Sequence, residues 1–590
     1  MVIFSAVVGL FLFSSMIAQF ALCIIIGIGI FQLLIAAADS GRHQRGEIDR
    51  DISPIMTSFV ASVALLISAI SIALKMTFGL LSYYVLLTFG LALVLLLISW
   101  VSAQVSRARV YGTLALVILY SLILRGAVYF SYPSIVGFDP WFHARLTNEI
   151  ALGGYVDTSY PGPAGIYGVF ALFHVFSAEG LLIFGVNAKD AMFFTVGVAE
   201  ALLPLWVFVL FRQFNLSNAV CLLAAFLAGV MSVFILWGWW LVPSGLGLIF
   251  TVILLAILFK EGRLDGWKRV ALFSTVAIAL SWTHPGATLI AILILVFYMI
   301  ATFALTHPVR ARPTSGGVGN GGGNRAVVRY TLFLTAIIFI HAIQSGTTGG
   351  LIRISFTSFS EGTIIASGNT FARGAFALIW DRLPNLELLV LATTGFLILI
   401  RNLKKKEGLQ HLGLSTVGLF LGLLILGLLQ LNPDYPLDER MLAFSFVCIL
   451  GISGTVLWSL NRTIPPSVPN VVVALIICFV LVLPSITNYS DNLDPPFPWS
   501  KTNNRSLTQN EIAAGGFVMK MNSSVYTDNF YCLFFEYYGY GDKSHVLEPN
   551  DNPLATTGNF MILARDRGPE MKVSHSWSLV FNSGQVKGYV

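Results

Sequence analysis

Charge is what this chain lacks most. Only 11% of its 590 residues are Asp, Glu, Lys or Arg, against 56% hydrophobic, where an ordinary soluble domain carries about 25% charged residues. A soluble globule cannot hide that much apolar surface, so a polytopic membrane protein is expected. Cysteine is nearly as scarce. Of the five, Cys23, Cys221, Cys448 and Cys478 stand in apolar runs and only Cys532 in the polar tail, so no disulfide framework is implied. The stretch 1–38 lacks a basic n-region and an A-x-A-like site, so it is expected to remain as one long span or two short ones. The net charge of +6 is small and sits mainly in a few loops, which describes membrane topology and does not suggest nucleic acid.

What the chain has in quantity is apolar runs of bilayer length, roughly 17–25 residues each. Beyond 1–38 they fall near 54–74, 78–100, 111–130, 190–211, 219–236, 246–259, 270–282, 286–305, 330–343, 385–400, 411–430, 438–460 and 470–487. The expected fold is an all-α polytopic membrane protein of about fourteen transmembrane helices with a small C-terminal extracytoplasmic α/β domain. Three divisions follow. Residues 1–110 are extra N-terminal helices, 111–487 the main transmembrane module, and 488–590 the outer domain. Lys260, Arg263, Lys268 and Arg269 fill one loop, Arg310, Arg312, Arg325 and Arg329 flank a glycine-rich second, and Arg401, Lys404, Lys405 and Lys406 fill a third. The positive-inside rule makes these loops cytoplasmic. Alternation then places 131–189, 344–384 and the tail outside. In the tail, a proline-rich linker precedes an amphipathic helix near 508–520 and the strand-like pieces "SSVYTDNF", "HVLEP" and "NFMILARD".

"VGFDPWFHARLTNEI" (136–150) follows directly on the run that ends at Phe130. Asp139 before Pro140 favours a turn, and Trp141 and Phe142 suit the aromatic belt of a membrane interface. Asp139, His143 and Arg145 would then face the water–lipid boundary, as an interfacial anchor with a capping aspartate or as a reactive site. Charged groups inside spans are costly and therefore functional candidates. Arg125 and Glu200, the latter beside Pro204, are two such groups. Trp237, Trp239 and Trp240 suit an aromatic belt or a sugar-stacking surface.

"FDPWFHAR" (138–145) resembles the first external-loop motif of the oligosaccharyltransferase catalytic subunit, a member of the GT-C superfamily. That motif reads F-D-P-W-F-N-x-R in eukaryotic forms and D-P-x-x-H-x-R in many archaeal ones, and His143 is the archaeal choice. "YPGPAGIYGVFALFHVF" (160–176) resembles the helix inside that loop. "FTSFSEGT" (356–363) resembles the mobile-loop S-x-S-E motif, and "DERMLAF" (438–444) the R-M-x-R-L segment. The resemblance implies catalytic roles for Asp139 and Glu361. It implies a substrate-binding role for Arg440, which would take the donor's phosphate. Arg145, a second candidate for the phosphate, is a further substrate-binding candidate with His143 and Trp141 of the same motif, and so is His284, at an outer turn between two spans, where it would line the donor cavity or serve as a satisfied histidine at a helix break.

Two motifs depart from the family. Where an acidic pair should stand in the second external loop, the chain reads "WGWWLVPSGLGLIF" (237–250), with Pro243, Ser244 and Gly245 in its place. The W-W-D-Y-G motif is absent, and "VYTDNFYCLFFEYYGYGD" (525–542) occupies the corresponding stretch. A divalent cation, Mn²⁺ or Mg²⁺, would have only Asp139 and Glu361 as named ligands, too few for a hard ion that takes about six oxygens. Either no cofactor or a divalent cation is expected, with transfer independent of metal favoured. The function implied is transfer of a sugar or glycan from a polyprenyl-phosphate donor to a protein or lipid-linked acceptor at the outer face of the cell membrane. A divergent enzyme that N-glycosylates asparagine is the alternative within the class. A flippase or transporter of lipid-linked sugars is the alternative outside it.

Overall fold

The computed structural model describes residues 107–130, most of 134–156, 167–260, 266–310, 321–344, 375–401, 407–431, 438–463 and parts of 474–589. In chain order the helices are α1 (Arg107–Phe130), α2 (Asp139–Gly153), α3 (Leu172–Phe184), α4 (Ala188–Met192), α5 (Val198–Ala201), α6 (Leu203–Arg212), α7 (Asn218–Val230), α8 (Ser232–Trp239), α9 (Pro243–Leu258), α10 (Gly266–Thr283) and α11 (Pro285–Arg310). They continue as α12 (Gly321–Gln344), α13 (Ala375–Arg401), α14 (Glu407–Leu431), α15 (Asp438–Thr463), α16 (Gln509–Met521) and α17 (Asn529–Tyr537).

Among the described residues four helical stretches are long and apolar enough to cross a bilayer: Ala188–Arg212, Pro285–Leu305, Leu383–Arg401 and Leu442–Leu460. The pair α7 and α8, bent by 55° at a break, would be a fifth. A membrane protein with several apolar helices is thus established. The spans expected at 54–74 and 78–100 lie outside the described residues apart from Ala92, so the count of fourteen rests on hydropathy.

Two spans are not plain helices. Ala188–Arg212 passes from α4 through a π-helical turn, Phe193–Gly197, into α5 and then breaks at Leu202 before α6. Pro204 has no amide to return to the carbonyl of Glu200, which explains the break. The second is the run read as one span, 219–236. It interrupts at Met231, which is extended (φ −71°, ψ 135°).

The chain divides into two compact units. One comprises Met1–Arg125, Ala199–Leu236 and Pro243–Asn492. Its helices pack through small residues that let backbones approach, as membrane bundles do. A Cβ on Gly418 would lie 2.8 Å from the Ser445 carbonyl, and one on Gly454 2.7 Å from the Val220 carbonyl. Buried hydroxyls bond back within their own helix, as Thr251 does to Gly247 (2.9 Å) and Ser453 to Ile449 (3.0 Å).

The other unit comprises Gly126–Val198, Trp237–Val242 and Leu493–Val590. It groups the segment that follows α1 with the tail, a grouping that hydropathy read along the chain cannot register. Its sheet has the order β2-β1-β3-β5-β4, built from β1 (Ser524–Thr527), β2 (Ser544–Val546), β3 (Phe560–Arg565), β4 (Leu579–Asn582) and β5 (Val586–Tyr589). β1 pairs in parallel with β2 and β3, while β5 pairs antiparallel with β3 and β4. A parallel pair needs a crossover, and α17, between β1 and β2 in the chain, supplies it.

Candidate functional site

The Asp-Pro pair does not make the expected turn. It opens α2. Gly137 precedes it at φ +86°, with the Trp240 ring so close that a Cβ would lie 3.0 Å from its Nε1. An acidic residue suits the positive end of a helix, and Pro140 fits a first turn whose amides need no partner. Pro140, Trp141, His143, Ala144, Leu146 and Thr147 are buried, the i, i+3, i+4 spacing of one helix face. The helix ends where the Gly154 amide donates to the Ile150 carbonyl (2.9 Å) with Gly154 at φ +71°, a left-handed cap.

The expectation that Trp141 and His143 face the membrane boundary is therefore corrected: both are buried. Trp141 packs edge-on against Tyr537 (5.3 Å between centroids) and Phe534 (5.9 Å), both from α17 of the tail. Asn148 of α2 also hydrogen-bonds Tyr537, whose phenol pKa burial pushes up. The stretch standing where W-W-D-Y-G is absent is thereby seated on the Asp-Pro-Trp-Phe-His-x-Arg helix.

His143 Nδ1 and His174 Nε2 of α3 share a hydrogen bond of 3.0 Å, one N–H donating to the other ring's bare nitrogen. Tyr167 meets both imidazoles edge-on, at 4.9 and 5.6 Å. Burial, and then the neighbouring His143, hold the pKa of His174 well below the ordinary histidine range. Nothing in the sequence singles out His174, because the pair spans 31 positions and two helices.

Arg145 donates from Nε to Glu149 Oε1 at 2.9 Å, one turn along α2, so its guanidinium already serves an acid. Arg440 is the third residue of α15. His284 lies between α10 and α11, where its Nδ1 accepts the Ala287 amide (3.0 Å) as a helix cap. Glu361 lies outside the described residues. Trp237 and Trp239 are fully buried, which removes them from an aromatic belt.

In the membrane unit, the charges of Arg125 and Glu200 are both buried. Arg125 caps the broken span: its guanidinium donates to the carbonyls of Phe234 (2.7 Å) and Gly229 (3.5 Å), and to Ser121. The break at Met231 leaves carbonyls without helical amides, and inside a membrane such groups must be satisfied within the protein. Glu200 interacts electrostatically with Arg125, yet neither of its carboxylate oxygens has a hydrogen-bond partner among the described residues. That carboxylate lies over Gly245, where a Cβ would collide with Oε1. Glycine at 245 thus has a spatial reason: the place without an acid in sequence holds one from α5. Among the described residues one pair of helices, α7/α8, is a bent, broken span, whereas Ala188–Arg212 runs through its irregular turn as one span.

Among the described residues no three His, Cys, Asp or Glu side chains come together to hold a metal ion.

No protein-family model matches the sequence, and no curated relative matches it. Among solved structures, the chain is similar to the Archaeoglobus fulgidus oligosaccharyltransferase in complex with zinc and sulfate, at 12% identity over 76% of this chain and 68% of that one, with a TM-score of 0.45. For the apo form of that protein the values are 13%, 76%, 65% and 0.46. For ArnT from Cupriavidus metallidurans in the apo state they are 12%, 81%, 98% and 0.41.

Proposed function

We propose that this protein is a membrane glycosyltransferase of GT-C type, moving a sugar or glycan from a polyprenyl-phosphate carrier to a protein or lipid-linked acceptor at the extracytoplasmic face. The observation that carries the reading is the seat of α17 on α2. The segment resembling a catalytic loop motif and the aromatic, acidic tail segment touch through Trp141, Phe534 and Tyr537, although nearly 400 positions separate them. An acceptor site needs a carboxylate and a recognition surface side by side, because transfer depends on holding the nucleophile in line with the anomeric carbon.

In this reading Asp139, half-buried at the start of α2, orients the acceptor nucleophile and takes its proton as the glycosyl bond forms. The leaving group is the carrier phosphate. Arg440 binds it, since a guanidinium is a bidentate partner for phosphate and the first turn of α15 adds helix amides that favour an anion. Glu361, which lies outside the described residues, is assigned its catalytic role on the motif alone. Arg145 fixes Glu149, and His143 with Trp141 holds α2 in place.

The decisive experiment compares Asp139→Asn with Glu200→Gln in a transfer assay with a lipid-linked donor, read by mass spectrometry of surface glycans. Loss of transfer by about 100-fold or more with Asp139→Asn, and tolerance of Glu200→Gln, is the expected pattern. The reverse pattern would favour a lipid-linked sugar flippase. That second reading draws on one observation: a broken helix pair held by a buried arginine, with a buried carboxylate that makes no hydrogen bond among the described residues.

A further inference from the structure

The unit that holds α2 and α3 contains a cavity of about 410 Å³ lined by Leu146, Glu149, Leu152, Tyr155, Tyr167 and His174, among others. That size falls in the range of small-ligand sites, roughly 300–1,000 Å³. It lies along the far half of α2, beyond Asp139, and is assigned no part in the transfer reaction. Its lining mixes aromatic rings with a few fixed polar groups. Tyr155 and Leu152 are strongly exposed, at 67% and 90%, so their apolar surface is open to a ligand. Tyr167 contributes a second ring. Gly153 and Gly168 leave backbone uncovered.

The polar groups are held in place before any ligand arrives. Glu149 is fixed by Arg145 (2.9 Å), so its charge is already balanced. His174 is fully buried, its Nε2 is engaged by His143, and its Nδ1 has no partner among the described residues. A buried imidazole nitrogen without a hydrogen bond is costly, and a ligand hydroxyl would satisfy it.

Among the described residues no lysine or arginine lines this cavity, which disfavours an anion, and the carboxylate of Glu149 is neutralised by Arg145, which disfavours a cation. What remains is a neutral ligand with apolar C–H faces for the tyrosines and hydroxyls for a carboxylate and an imidazole. We propose that this cavity is a saccharide-binding site, formed by Tyr155, Tyr167, Glu149 and His174 and separate from the centre at Asp139.

Saturation-transfer NMR on the full chain in nanodiscs tests it, with methyl glucoside, methyl mannoside, galactose and N-acetylglucosamine as probes. At least one sugar should receive saturation at its ring C–H protons. Tyr155→Ala, at an exposed position that should not disturb folding, should weaken that sugar's binding roughly tenfold, about one aromatic contact. His174→Gln, which keeps a hydrogen-bonding side chain, should weaken it as well. Absence of transfer to all four sugars would overturn the proposal. So would binding unchanged in both variants, or displacement of the sugar by inorganic phosphate. The measurement needs no turnover, so it stands or falls apart from the glycosyltransferase reading.

Discussion

The contact between Glu200 and Gly245 can be measured with a double-mutant cycle. Gly245 is the third residue of α9 and fully enclosed. Its missing Cβ is occupied by the Glu200 carboxylate, which is only 2% exposed and has no open space to swing into. Gly245→Ala must therefore push a buried carboxylate aside, at about 1–3 kcal/mol for overpacking a filled interior. In a Glu200→Ala background the same substitution meets no oxygen, and the helix propensity of alanine should return up to about 1 kcal/mol. The expected coupling is thus about 2 kcal/mol or more, well above the roughly 0.3–0.5 kcal/mol scatter of independent sites. Reversible unfolding in mixed micelles, titrated with SDS and followed by tryptophan fluorescence, measures each corner of the cycle. Additivity within about 0.5 kcal/mol would refute the contact.

Two further predictions concern proton and metal dependence. His174 has a folded pKa held well below 6.5, so the unfolded chain binds a proton where the folded one does not. Stability should be level above neutral pH and fall below about pH 6.5, by at most about 1.4 kcal/mol per pH unit. His174→Gln should flatten that slope, and an unchanged slope in thermal melts between pH 7.5 and 5 would remove the assignment. Transfer activity should survive a chelator, with added Mn²⁺ or Mg²⁺ changing the rate by less than about tenfold. Activity that vanishes in chelator and returns with Mn²⁺ would require ligands outside the described residues.

The parts legible in the sequence are those set by local chemistry. Apolar runs mark helices such as Pro285–Leu305 and Leu442–Leu460, because partition into lipid depends on each segment's own composition. Arg125 and Glu200 stood out for the same reason, as charges where charge is costly. The Asp-Pro-Trp-Phe-His-x-Arg motif was visible as a motif. Its conformation was misjudged, since an Asp-Pro pair serves a turn or a helix start equally well.

What only the tertiary structure decided is which surfaces meet. A tryptophan has the same amphipathic ring at a membrane boundary and in a core, so only the arrival of Phe534 and Tyr537 separates the two for Trp141. The break at Met231 carries no proline. Arg125, more than 100 positions earlier, donates to the Gly229 carbonyl in the last turn before that break and to the Phe234 carbonyl in the helix after it. The carboxylate over Gly245 comes from Glu200, on another helix. Hydropathy and turn preference are properties of neighbours along the chain. Hydrogen-bond satisfaction and packing are properties of neighbours in space, and in this protein those neighbours come from distant segments of the sequence.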